Sequence, residues 1–204
     1  SLFINPGGPG GSGVQYVEGA AETAFAGVQG SFDIIGFDPR GVGSSTPVTC
    51  AAANGVDPMS DPGQASGGAP FEELARQMEP TCAADTKPAG LLDHVDTISV
   101  ARDLDVLRAL SGDQRLNYLG ISYGTYLGAH YAELFPANTG RMVLDGTLDP
   151  SISLYERQAG AMKGLERALR TYVDWCQAGQ GCPLTGGTDA GVQQVRDLFT
   201  SVDR

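Results

Sequence analysis

Ser122 is the residue best placed to do chemistry, because it stands in Gly120-Ile121-Ser122-Tyr123-Gly124. A serine hydroxyl attacks a carbonyl carbon only when it projects clear of its surroundings and a base takes its proton. Gly-x-Ser-x-Gly between a strand and a helix meets the first condition. The serine sits at a strained turn, and the glycines leave room for the backbones that crowd it. Leu116 to Leu119 reads as the strand and Thr125 to Leu134 as the helix. The chemistry is acyl transfer through a serine nucleophile. The pattern alone is a weak signal: with 29 glycines and 13 serines in 204 residues, chance flanks a serine with two glycines roughly 0.26 times. Its strand and helix strengthen it, as does a second motif upstream.

That motif is Pro6-Gly7-Gly8-Pro9-Gly10-Gly11-Ser12-Gly13, after a strand-like Leu2 to Asn5 and before a helix expected over Val14 to Ala26. It has two incompatible readings. Gly8 to Gly13 fits GxGxxG, and Asp38, at the end of the β-rich run Phe32 to Phe37, then serves as the ribose-binding acid of a dinucleotide-binding oxidoreductase domain. Against this, Asp38 lies 30 residues past Gly8, where about 20 is usual. It also runs into Pro39-Arg40-Gly41, a constrained turn. A Walker-type phosphate loop is excluded, since no Lys-Ser/Thr follows. In the acyl-transfer reading the run brings a backbone N–H, that of Gly8, to the carbonyl oxygen, where negative charge develops. The N–H of Tyr123, the residue after the nucleophile, supplies the second donor. This reading explains both motifs; the other leaves Ser122 unexplained.

The elements that position these motifs alternate. Val100, Leu104, Leu107 and Leu110 recur at helical spacing within Thr97 to Leu110, Gly112 stops that helix, and Arg141 to Leu144 forms a strand ending at Asp145-Gly146. Four strand–helix alternations predict an α/β fold: a mostly parallel, doubly wound sheet with its site at the C-terminal strand ends. Residues 1–150 form this core, and 46–90 is a Pro-, Gly-, Ala- and Ser-rich surface excursion with a short helix at Phe71 to Met78. After Pro150 come two helices, about Ser153 to Cys176 and Asp189 to Val202, with no strand between them. Residues 151–204 thus read as the beginning of a helical cap.

A net charge of −11 and a pI near 4.4 argue against nucleic acid or an anionic membrane as partner. No apolar run reaches the ~18 residues of a membrane span. The chain opens within a strand, so the absence of a visible signal peptide carries no weight. The four cysteines make two natural pairs, Cys50–Cys82 around the excursion and Cys176–Cys182 around a Gly-rich loop. On a chain-entropy account these closures contribute roughly 3–4 and 2 kcal/mol respectively, and they imply an extracytoplasmic, oxidising location. No CxxC or Cys/His cluster is present, so neither a metal nor a cofactor is expected.

Asn5-Pro6-Gly7-Gly8-Pro9-Gly10-Gly11-Ser12-Gly13, Phe37-Asp38-Pro39-Arg40-Gly41-Val42-Gly43-Ser44-Ser45 and Gly120-Ile121-Ser122-Tyr123-Gly124-Thr125, in this order, resemble a known group. The chain looks like the secreted tripeptidyl aminopeptidases of the α/β-hydrolase fold, relatives of the prolyl iminopeptidases. Val143-Leu144-Asp145-Gly146 and Trp175-Cys176 to Cys182-Pro183-Leu184 also fit. The resemblance implies an exported serine exopeptidase that hydrolyses peptides from a free N-terminus through a Ser-His-Asp triad, beneath a helical cap. Ser122 corresponds to the nucleophile and Gly7-Gly8 to the oxyanion loop.

The chain departs from that group in its histidines. The triad order is Ser, then Asp or Glu, then His. Of two histidines, His94 precedes Ser122, and His130 lies on the nucleophile's own helix, roughly 12 Å along its axis. Both read as surface or cap-facing. Asp145 stands one strand too early for the family's acid and reads as structural. The triad acid and base are therefore expected outside this chain, on a C-terminal segment of the same polypeptide or on a second chain, and residues 1–204 alone are expected to have little activity. Within hydrolases the rival is an esterase or lipase using the same residues. An aminopeptidase needs cap carboxylates for the substrate's ammonium group, and Glu156 is the one candidate, itself read first as a solvated helix charge. From another class, besides the dinucleotide-binding domain, the rival is a catalytically silent hydrolase-like binding protein.

Overall fold

The computed structural model describes residues 1–50 and 71–202. The part of the 46–90 excursion that spans 51–70 lies outside the described residues. Two compact units divide the chain, Ser1–Pro150 and Ser151–Arg204.

In the first unit, β1 (Leu2–Asn5), β2 (Ile34–Gly36), β3 (Leu116–Ile121) and β4 (Thr139–Asp145) form a four-stranded sheet in the order β2-β1-β3-β4. Every pairing is parallel. β1 is central and almost wholly apolar, Leu-Phe-Ile-Asn, as expected of a strand buried on both faces. Pairing of Phe3 with Tyr118, and of Tyr118 with Met142, puts these side chains on one face. That face packs on α3 (Thr97–Leu110) and α4 (Tyr123–Leu134), where Val100, Leu104, Leu127 and Tyr131 are buried with Phe3, Leu116 and Tyr118. On the opposite face, which Ile4 and Gly36 share, lies α1 (Gly13–Ala20): a Cβ on Gly36 would stand 2.1 Å from the Gly13 carbonyl oxygen. The sheet is therefore doubly wound, the expected α/β architecture. The chain leaves β1 toward β2 on one side and returns as β3 on the other, so strand order reverses between β1 and β3. A crevice at the carboxyl ends of the strands opens at such a switch point.

Two elements differ from expectation. α1 ends at Ala20 rather than Ala26 and continues as successive turns. Nine residues of continuous helix would rotate Phe25 about 180° away from Tyr16. Breaking the helix instead buries Phe25 edge-on to Tyr16, ring centroids 6.1 Å apart. Tertiary contact overrides helical periodicity here. Conversely, α2 (Phe71–Asp85) runs beyond Met78 and includes Pro80. Its far end is pinned. Cys82 is bonded to Cys50, and the buried Thr86 hydroxyl accepts from the Thr49 amide and donates to the Thr49 carbonyl, both at 3.1 Å.

The second unit consists of α5 (Leu154–Ala178) and α6 (Thr188–Val202). A capping box starts α5: Ser153 Oγ accepts from the Glu156 amide and Glu156 Oε2 accepts from the Ser153 amide. The two helices meet closely at Gly191, where a Cβ would lie 2.4 Å from the buried Val173. The Gln177 amide side chain bonds both polar groups of Gly187, and Cys176 is bonded to Cys182. Among the described residues, no helix is long and apolar enough to cross a membrane.

One polar node joins α3 to α4. Asp105 Oδ1 accepts from Arg108 Nε (2.8 Å), the buried Tyr131 hydroxyl (2.8 Å) and Asn138 Nδ2 (2.9 Å). The Arg108 bond, helped by Tyr131 and Asn138, outweighs burial and holds the Asp105 carboxyl below its ordinary value. A carboxyl with a lowered folded pKa stabilises above its unfolded value of about 3.9 and loses that contribution as pH falls through the folded value. Asp105→Asn is therefore expected to cost about 2 kcal/mol at pH 7, and the gap from the parent to narrow below about pH 4. Urea denaturation of both proteins at pH 7 and pH 3 measures this.

Candidate active site

The register that pairs Asn5 with Gly120 brings the loop after β1 against the turn after β3. Ser122 occupies that turn, exposed, with φ 54° and ψ −119°, a backbone conformation L-residues rarely adopt. Such strain costs about 1–3 kcal/mol and persists only where the surroundings enforce it. They do so here through the backbone. The Ser122 amide donates to the Asp145 carbonyl at 2.8 Å, and the Ser122 carbonyl accepts from the Thr125 amide at 2.9 Å and the Thr125 hydroxyl at 2.6 Å. Underneath, the buried Tyr118 hydroxyl donates to the Gly124 carbonyl at 2.8 Å. Burial pushes the Tyr118 phenol far above its ordinary value, so it stays a neutral donor.

Glycine is required where these backbones touch. A Cβ on Gly124 would lie 2.5 Å from the Asn5 carbonyl oxygen. Gly7 has φ 95°, and its Cβ would lie 2.4 Å from the Ile121 carbonyl oxygen and 3.1 Å from Ser122 Cβ. The loop after β1 is thus in direct contact with the turn that holds Ser122. Asn5 shapes this loop: its buried Oδ1 accepts the Gly7 amide at 3.0 Å. That bond uses the Gly7 N–H. The next amide, of the exposed Gly8, and the amide of Tyr123 at the start of α4 have no hydrogen-bond partner among the described residues. These are the two donors expected to meet a carbonyl oxygen.

Asp38 is fully engaged elsewhere. Its Oδ1 accepts from Ser12 Oγ (2.6 Å) and the Val14 amide (3.4 Å), and its Oδ2 from the Ser44 amide (2.9 Å). Burial raises its pKa, but the bonds from Ser12, Ser44 and the α1 amides outweigh that and leave it lowered. A carboxylate therefore occupies the N-terminus of α1, the position a pyrophosphate takes in a dinucleotide fold. The fork Arg40 Nε to Asp103 Oδ2 (2.7 Å) and Nη2 to Oδ1 (2.5 Å) fixes the turn after Asp38, and Nη1 bonds the His94 carbonyl. This geometry removes the dinucleotide reading.

The other expected residues separate cleanly. His130 Nδ1 donates to the Tyr126 carbonyl one turn back, its ring against Tyr126. His94 is exposed in the short 3₁₀ turn Leu91–His94. Among the described residues, no hydrogen bond joins either imidazole to Ser122. Asp145 contributes its backbone carbonyl to Ser122. Glu156 is held by Ser153 in the α5 capping box, which keeps its pKa low. The sequence reading overlooked Asn5 and Thr125. Their signal was position: a polar residue ending a buried strand, and a hydroxyl directly after Gly-x-Ser-x-Gly.

A family model described as the alpha/beta hydrolase fold matches residues 1–200. The chain is 41% identical over 204 residues to serine protease Hip1 of Mycobacterium tuberculosis, spanning 97% of this chain and 39% of that protein. It is 38% identical over 203 residues to the tripeptidyl aminopeptidase of Streptomyces lividans, spanning 95% of this chain and 37% of the relative. Carboxylesterase B of Mycobacterium tuberculosis is 41% identical over 210 residues, spanning 100% and 39%. The chain thus spans about two fifths of the length of these relatives.

The contacts around Gly7 predict a graded response to alanine. Gly10, in the same loop, has φ 102° but nothing within 4 Å of its Cβ position. Gly10→Ala is expected to cost about 1–2 kcal/mol, from backbone strain alone. Gly7→Ala adds a collision with backbone and is expected to cost about 3–5 kcal/mol. Urea denaturation of the two variants side by side tests the difference.

Proposed function

Since the chain belongs to the alpha/beta hydrolase fold family, we propose that it carries the nucleophile and oxyanion hole of a serine peptidase that releases short peptides from free N-termini. The observation behind this reading is the strained Ser122 (φ 54°) abutted by the Gly7 backbone. Ser122 Oγ attacks the scissile carbonyl carbon, and its proton passes to a histidine base. The oxygen gains negative charge and accepts the Gly8 and Tyr123 amides. Collapse of the tetrahedral adduct breaks the C–N bond, the histidine protonates the leaving amine, and water then hydrolyses the acyl-enzyme with the same base.

The base and its acid come from a segment beyond residues 1–204, in the same polypeptide or a second chain. Supporting this, His130 Nδ1 is tied to the Tyr126 carbonyl and His94 precedes Ser122 in the chain, against the triad order. Residues 151–204 are the beginning of a helical cap, in keeping with their two helices and lack of a strand among the described residues. The bonded pairs Cys50–Cys82 and Cys176–Cys182 support an extracytoplasmic location. Exopeptidase action draws on the tripeptidyl aminopeptidase relative, whose name states that activity. An esterase is the second reading, favoured by 41% identity to a carboxylesterase, the same as to the serine protease.

Three outcomes are expected. Full-length protein reacts with a fluorophosphonate probe, and Ser122→Ala abolishes labelling and lowers kcat by roughly 10⁴–10⁶-fold; unchanged labelling excludes Ser122 as nucleophile, and no labelling of the parent leaves the binding-protein reading. Peptides with a free N-terminus are cleaved and N-acetylated copies are not, whereas an esterase prefers a p-nitrophenyl ester to both. Residues 1–204 alone turn over at least about 10³-fold more slowly than the full-length protein; equal rates would place the base within these residues.

A further inference from the structure

Thr125, the first residue past the second glycine of the motif, is fully buried. A buried hydroxyl must find partners. Thr125 Oγ1 donates to the Ser122 carbonyl at 2.6 Å and accepts the Leu148 amide at 2.9 Å. The Thr125 amide donates to the same Ser122 carbonyl at 2.9 Å. One residue thus supplies two hydrogen bonds to one oxygen. It also ties that oxygen to the segment three residues past Asp145, whose carbonyl holds the Ser122 amide.

The Ser122 carbonyl and the Tyr123 N–H belong to one peptide unit. That unit is planar and trans, so its C=O and N–H point in opposite directions. Fixing the oxygen therefore aims the N–H. We infer that Thr125 is a positioning residue whose hydroxyl orients the Ser122–Tyr123 peptide so that the Tyr123 N–H faces the oxyanion. This rests on the reading of Ser122 as nucleophile. Preorganised donors stabilise a transition state because they need not reorient as charge appears. Without the hydroxyl bond, the peptide plane rocks about ψ of Ser122 and φ of Tyr123 and the aim of the Tyr123 N–H is loosened, although the hydroxyl never touches substrate. The Leu148 bond has a separate part in this arrangement. It fixes the hydroxyl's rotor: with the Oγ1 lone pair engaged by Leu148, its proton is directed at Ser122.

The test compares Thr125→Val, which keeps the shape and removes the hydroxyl, with Thr125→Ser, which restores it, in the full-length protein. Expected for valine is a fall in kcat of about 10- to 100-fold with KM within about twofold, and recovery of most of that loss with serine. A trifluoromethyl ketone peptide, which forms an oxyanion on Ser122, should lose affinity in parallel with kcat/KM, while a product peptide binds unchanged. A merely structural role would weaken both ligands alike. Wild-type kcat in the valine variant, or equal loss of both ligands, overturns the inference. If the valine variant does not fold, Thr125→Cys, with a weaker donor, is compared with serine: the expected kcat lies below that of serine, and equality overturns the inference. Retained probe labelling in Ser122→Ala would instead reject the nucleophile reading itself, so the two failures are distinguishable.

Discussion

Everything at this site depends on three stretches of backbone meeting with no space for a Cβ between them. The end of β1, the loop that follows it and the turn after β3 approach so closely that Gly7 and Gly124 each stand within about one atomic contact of another segment's carbonyl oxygen. Only the parallel register of Asn5 with Gly120, across the reversal of strand order, produces this meeting. Once made, it holds Ser122 in a conformation that a free chain would leave. The strain of about 1–3 kcal/mol is offset by a small set of bonds, from Ser122 to Asp145, from Thr125 to Ser122 and from Tyr118 to Gly124. The Tyr118 bond is buried, where a hydrogen bond is stronger than in water and costly to leave unmade.

Charge completes what sterics begin. Asp38 caps α1 through Ser12 and also holds the Ser44 amide, so the loop before α1 and the turn after β2 share one carboxylate. Arg40 then binds that turn to α3 through Asp103. The glycine-rich loop gains a fixed shape although most of its residues are glycines. The same carboxylate decides between two motif readings that sequence spacing alone only ranked. An internal anion at the α1 N-terminus leaves that dipole nothing to offer a phosphate.

The architecture was legible because its signals are local. Apolar strands of three to seven residues, helices with 3.6-residue spacing and glycines at turns assigned the four strands, α3, α4 and the two helices after Pro150 to their places. The turn at Ser122 between β3 and α4 was legible for the same reason, since its motif is contiguous. What the sequence did not disclose was set by distant contact. α1 stops short so that Phe25 can fold back on Tyr16, and α2 extends through Pro80 because Cys50 and Thr49 anchor its far end. Asn5 and Thr125 escaped notice because a polar side chain's partner is fixed by the fold, not by its neighbours in sequence. Asp38 could be singled out but not interpreted: spacing marks a carboxylate, and only its hydrogen bonds say what it serves.

A division of labour follows from where these bonds lie. Among the described residues, the hydrogen bonds that fix Ser122, Tyr123 and the loop after β1 originate within Ser1–Pro150, and nearly all involve backbone atoms. Backbone geometry of this kind is specified by strand register and by glycine, and it tolerates change in exposed side chains. Proton transfer has the opposite requirement, a side chain of suitable pKa at hydrogen-bond distance from Oγ. Electrostatic stabilisation and general-base catalysis therefore draw on different parts of a hydrolase, the first written into turns and the second into residues that must be delivered to them. The turn that holds Ser122 is built from these backbone bonds alone, without a histidine among them. A strained, exposed serine with unpaired amides beside it is the form that the stabilising half takes before the proton acceptor is considered.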